Sequence, residues 1–181
     1  MIDLTRSKLP SELVVDGRGY PILTGFRIWM QWGRLYRNGF ASAEIFAGDV
    51  PPGEWTGAAL EFYRSENPFP RGSGGGRVTD DFYDGDYVVA AFMQLYGIDL
   101  TSCDLHWHLY LALLRGIPTE GTRYAEIIGY RSWSRSKRKP EQVYADAKRA
   151  WSLPEPETVR YEDQPDPLAG MYTDPDELKV G

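Results

Sequence analysis

The sequence predicts a mainly α protein: about six helices in one compact bundle-like domain with a small N-terminal β-hairpin. Three observations carry this. Six segments place apolar residues at helical spacing, and several are bounded by a capping residue or a glycine stop. One Asp-Gly pair, Asp16-Gly17, separates two short apolar runs. The length, 181 residues, suits one domain of ordinary size.

Residues 1–12 are polar and read as a flexible N-terminus. The helical domain is expected over 13–152, its hairpin over 13–23, with Leu13-Val14-Val15 and Tyr20-Pro21-Ile22-Leu23 flanking the Asp-Gly turn. Pro21 cannot donate to a ladder, which makes its strand short or an edge. Thr24 is the expected N-cap of a first helix running to about Asn38-Gly39. Phe26, Trp29, Met30, Gly33 and Tyr36 share one face of it, widened by Trp32 and Leu35. A second helix, about 54–65, carries Trp55, Ala59, Phe62 and Tyr63 at i, i+4, i+7 and i+8. A Gly- and Pro-rich loop, Asn67 to Gly76, follows.

Thr79 or Asp80 is expected to cap a third helix ending at Tyr96-Gly97, with Val88, Ala91, Phe92 and Leu95 as its core stripe. Thr101 and Asp104 form a capping-box-like pair that would open a fourth helix to about Arg115, with Leu105, Leu109, Ala112 and Leu113 inward. The short Gly97–Leu100 link makes helices three and four neighbours, with Trp107 packed on the stripe. A fifth helix, about 122–131, carries Tyr124, Ile127 and Ile128. A sixth, about 140–152, starts at Pro140 and carries Tyr144, Ala147 and Trp151. Residues 153–181 read as an acidic, Pro-containing disordered tail.

Charge divides along the chain. Residues 153–181 hold eight acids against two bases, which accounts for the whole formal charge of −6, so residues 1–152 net to zero. A neutral body with an acidic tail argues against general nucleic-acid binding. No apolar run approaches the roughly 18–20 residues that span a bilayer, and the N-terminus lacks signal-peptide order. A reducing cytoplasmic location is expected.

Candidate chemistry is sparse. Gly72 to Arg77 lacks the Lys-Ser/Thr and the preceding strand of a phosphate loop. Asp80 to Asp86 fails as a calcium loop, because Phe82 and Ala91 stand at ligand positions. Cys103 is the sole cysteine, and His106 and His108 point to different sides of one helix, so no metal set forms. They read instead as partly buried rings, one of them bonded to a neighbouring turn. With no nucleophile–base pair in the sequence, no enzyme, cofactor or metal is expected. The basic run from Arg131 to Lys139 reads as a solvated connector.

One resemblance emerges from the order of segments. Leu9-Pro10, the hairpin, Phe26-Arg27-x-Trp29, Asp86-Tyr87-Val88, Ala90-Ala91-Phe92, Tyr96 to Leu100, Leu105-His106-Trp107, Gly116-Ile117, Ile127-Ile128 and Tyr130-Arg131 follow one another as in a known pattern. With them the chain resembles the gene-product-fifteen family of tailed bacteriophages and prophages. It departs from the pattern at Gly25, where an acid is expected, and at His108, where a second aromatic is expected.

The resemblance implies a tail assembly chaperone-like protein. Such a protein binds the phage tape measure protein during long-tail assembly in the host cytoplasm and is absent from the finished particle. The major tail protein is a further implied partner, and homo-oligomers are compatible with it. Nucleic acid and membrane are not expected partners. The alternatives are a structural tail or head-completion component of the virion, and a nucleic-acid-associated phage factor using residues 131–139. Two sets of residues are singled out. Trp29 and Trp32 are candidate partner anchors on the first helix. Arg27, a charge on an apolar element, needs a carboxylate, and Asp84 or Asp86 is the expected one.

Overall fold

The computed structural model describes residues 8–64, 78–80, 83–134 and 141–154. The loop 67–76, residues 135–139 of the basic run and the tail from 155 onward lie outside the described residues, as do residues 1–7.

Two strands, β1 (Glu12–Val15) and β2 (Arg18–Pro21), pair antiparallel with Leu13 opposite Tyr20. The turn between them needs two successive positive φ angles, and Asp16 (φ 50°) and Gly17 (φ 78°) adopt them. Period-two alternation puts Leu13, Val15 and Tyr20 on the buried face. The chain beyond Pro21 then gains an unpredicted neighbour. A short 3-10 turn, Ala43–Ile45, capped by Ser42, brings its backbone alongside. Leu23 N donates to Ile45 O at 2.7 Å, and Ala47 N to Pro21 O at 3.0 Å.

Among the described residues six helices follow: α1 (Phe26–Arg37), α2 (Thr56–Arg64), α3 (Gly85–Tyr96), α4 (Trp107–Arg115), α5 (Arg123–Ser132) and α6 (Glu141–Ala150). The mainly α class with an N-terminal hairpin is therefore observed. α1 buries Phe26, Trp29, Trp32 and Gly33 along one stripe. Its N-cap is Gly25, one residue after the expected Thr24. The Thr24 carbonyl is instead spent on Trp107 N at 2.7 Å, while Phe26 N donates to Leu105 O at 2.8 Å. This antiparallel bridge ties the starts of α1 and α4 together.

Two helix starts differ from expectation for a shared reason: short polar side chains capture nearby amides and hold the backbone in turns. Asp80 Oδ1 accepts from Tyr83 N and Asp84 Oδ2 from Asp80 N, so α3 begins at Gly85 with Asp84 as its cap residue. Asp99 Oδ1 accepts from Thr101 N and Thr101 Oγ1, which folds 99–103 back on itself. α4 then starts at Trp107, capped by His106. Two ends agree with the sequence: Gly97 closes α3 in the left-handed conformation (φ 65°), and Thr122 Oγ1 caps α5 through Ala125 N.

The inward face of α4 is not the expected one. Trp107, His108, Tyr110 and Leu111 are buried, while Leu109 and Ala112 face outward. The segment is apolar nearly all round, so helical spacing does not single out a face. The tie to α1 turns the rings inward. Tyr110 stacks between Phe26 (4.8 Å) and Phe92 (5.5 Å). Trp107 stacks on Tyr63 of α2 and donates to its carbonyl at 2.8 Å. On α3, Val88, Ala91 and Phe92 are buried as expected, but Leu95 is 37% exposed.

Candidate functional site

The two tryptophans expected to anchor a partner are shut away from one. Trp29 is 0% and Trp32 1% exposed. Trp29 lies 4.4 Å from the Phe62 ring and donates its indole N–H to Leu23 O at 2.7 Å. Trp32 sits between Tyr36 and Tyr63. The sequence placed both correctly on one helix face; the packing of α2 against that face makes it core.

Arg27 does not meet Asp84 or Asp86. Its guanidinium donates to the carbonyls of Cys103 (2.8 Å), Leu100 (2.5 Å) and Thr101 (3.3 Å), and Asp104 lies 3.5 Å away. It thus clamps the turn that precedes α4 to the first turn of α1. The departure at Gly25 has its explanation in the same place. A Cβ at Gly25 would overlap the Asp104 carboxylate, so Asp104 supplies the acid from another segment. Asp86 is exposed in the first turn of α3, where a negative charge suits the helix dipole.

Asp84 belongs to Arg131. They are 1% and 9% exposed, and one guanidinium nitrogen reaches both carboxylate oxygens at 2.8 Å. Nη1 also bonds Val78 O (3.1 Å), and Nε bonds Trp151 O (2.7 Å). One side chain therefore joins the approach to α3, the end of α5 and the end of α6. Sequence reading missed it because Arg131 opens a basic run. The signal was its spacing, four residues after Ile127 and seven after Tyr124, both buried on the same face.

His108 lies 4.4 Å from Phe62, ring on ring, and so fills the place of the aromatic that the resemblance expected. Its Nε2 donates to Phe62 O at 2.9 Å. His106 Nδ1 accepts from His108 N, so its proton is on Nε2, which donates to Pro10 O at 2.8 Å. Burial pushes both imidazoles below their ordinary range against the opposing pull of their carbonyl partners, which favours the neutral form that the accepting Nδ1 of His106 requires. Among the described residues no three His, Cys, Asp or Glu side chains group as metal ligands, and no helix is long and apolar enough to cross a membrane.

The remaining feature is the seat of α6. Tyr144 meets Trp133 (6.1 Å, near parallel) and Tyr130 (6.2 Å). One helical stretch further on, Trp151 meets the Tyr87 ring edge-on at 5.9 Å, and the Arg123 guanidinium lies 4.9 Å from its ring centre. Lys148 Nζ donates to Trp133 O at 2.7 Å. Among the described side chains of α6 none is buried. Tyr144, Trp151, Lys148 and the Arg131–Trp151 bond thus seat a solvent-facing helix on an aromatic shelf of α3 and α5.

A family model described as "Bacteriophage Gp15 protein" matches residues 58–153, more than half of the chain. The matched span runs from α2 to the end of α6 and contains the Asp84–Arg131 pair and the shelf; the hairpin and α1 lie outside it. No curated protein and no solved structure matches.

Proposed function

The chain belongs to the bacteriophage Gp15 protein family and is a phage structural or assembly-related protein, and from that premise we propose that it is a tail assembly chaperone. In this reading it acts in the host cytoplasm, binds an apolar helical segment of the tape measure protein while the long tail is built, and catalyses nothing. The family match carries the reading, since it runs from within α2 to the end of α6.

Surface character supports it. Met93 on α3, Leu109 on α4 and Val143 on α6 are exposed apolar side chains on helices, a surface type that suits another helix. The acidic excess after residue 153 would keep a complex with a sticky partner soluble.

Co-expression with overlapping tape measure fragments tests the proposal. At least one fragment is expected to gain solubility and to co-purify with this protein, and purified virions are expected to lack it. If no fragment responds and mass spectrometry finds the protein in stoichiometric amounts in virions, it is a structural tail or head-completion component instead.

A further inference from the structure

We infer that α6 is a displaceable stand-in for a partner helix, and that its shelf on α3 and α5 is the groove that receives that helix. The occupant is an amphipathic helix of another protein. It would carry large aromatic or apolar residues seven positions apart and end in a C-terminal turn whose carbonyl meets Arg131. This deepens the chaperone reading above and rests on it for the identity of the partner.

Three observations on α6 carry the inference. First, its contacts have the form of a helix-in-groove ligand: Tyr144 and Trp151, at i and i+7, meet rings supplied by other elements. Second, the shelf has its own organisation. Asp84 holds the Arg131 guanidinium through Nη1, which leaves Nε free of the carboxylate and aimed at Trp151 O, a backbone carbonyl. Any helix ending there offers the same carbonyl, so this contact does not depend on the α6 sequence. Third, α6 is the one helix that buries none of its described side chains, whereas α1 to α5 each bury at least two. Its removal would expose Tyr87, Tyr130 and Trp133 and leave Arg131 Nε without the Trp151 carbonyl, whereas the ring contacts of Trp29 and Phe92 involve no residue of α6.

The connector explains how such a site stays closed until needed. α6 follows α5 after eight residues, Trp133 to Pro140, so its local concentration at the shelf is on the order of millimolar. A free helix competes poorly with it unless its own contacts are stronger. Loosening α6 by removing its two rings should therefore raise the affinity of a competing helix by about tenfold or more.

The test uses the full chain and its Tyr144→Ala/Trp151→Ala variant, with a fluorescent peptide of residues 140–154 as the probe. The variant is expected to keep its main melting transition and the far-UV helical signal of α1 to α5, and to bind the peptide at least about tenfold more tightly than the unchanged chain. The same peptide carrying both alanines should not bind. A folded variant that binds no better than the unchanged chain overturns the inference. Concentration-dependent dimers of the unchanged chain that exchange α6 overturn it too, because the occupant is then a second copy. If the variant loses its fold, α6 is part of the core and the inference also falls. Tape measure fragments separate this failure from that of the chaperone reading. Fragments that co-purify equally with both proteins place the site elsewhere and leave the reading intact; fragments that co-purify with neither remove the reading, while the peptide still decides whether the shelf exchanges helices.

Discussion

Aromatic rings do opposite work at the two ends of the helical body. Around α1, α2 and α4, Trp29, Trp32, Phe62, Trp107 and Tyr110 are buried and stack on one another. Around α6, Tyr144 and Trp151 touch rings of α5 and α3 yet stay half-buried. Both places use Trp and Tyr rings. What differs is how many sides of each ring are covered, and burial energy scales with the area removed from water. The first region is a core and the second an interface within one chain.

The largest expected effect lies in the first region. Trp29→Ala should cost about 3–5 kcal/mol, enough to unfold a domain of ordinary stability. Thermal denaturation followed by circular dichroism checks it; an unchanged melting temperature would erase the distinction between the regions. Next comes the buried pair beneath the second region, Asp84–Arg131. Arg131→Met leaves Asp84 buried without its cation and should cost about 3–5 kcal/mol, whereas Asp84→Asn with Arg131→Met should recover part of that loss. A double variant as unstable as the sum of both single variants would show the pair to be uncoupled.

Smaller effects sharpen the contrast. Tyr144→Ala should cost about 1 kcal/mol or less and act on α6 alone. Hydrogen exchange should show faster exchange in 141–150 with α1 and α3 unaltered. Acid should act on the first region through His106 and His108. Burial lowers both folded-state values below 6.5, so the unfolded chain takes up protons first as pH falls. Their contribution to stability is complete above that value and is lost below it. The melting temperature should drop between pH 7.5 and pH 5, and by less in His108→Asn; an equal drop would move the titration elsewhere. Smallest of all is Gly25→Ala, which must push the Asp104 carboxylate away from Arg27. The pair is exposed and the guanidinium keeps its carbonyl bonds, so the change should stay below about 1 kcal/mol.

Much of this architecture was legible in the residue order. Asp16-Gly17 specified its turn because few residue pairs tolerate two positive φ angles, and Gly97 marked a helix end for the same kind of reason. The faces of α1, α2 and α5 followed from helical spacing, because polar residues interrupt each of them. The face of α4 did not, because Trp107 to Leu114 offers apolar residues in every direction. The starts of α3 and α4 were misplaced because Asp80, Asp99 and Thr101 can either cap a helix or hold a turn, with similar local energy.

The candidate site was less legible than the fold. Tyr144 and Trp151 were visible as an apolar pair on α6, but nothing in their spacing tells a helix that enters the core from one that rests on its surface. Arg27 was expected to meet Asp84 or Asp86, yet Arg27 and Asp84 each found a partner that the sequence did not indicate. Local sequence determines where backbone conformations are cheap and which helix faces are apolar, since those depend on residues within a few positions of one another. Which of those faces meet, and which of many carboxylates a buried guanidinium reaches, depends on segments tens of residues apart. The bridge between 25 and 106 and the single bond network through Arg131 decided both, and only the folded chain brings those residues together.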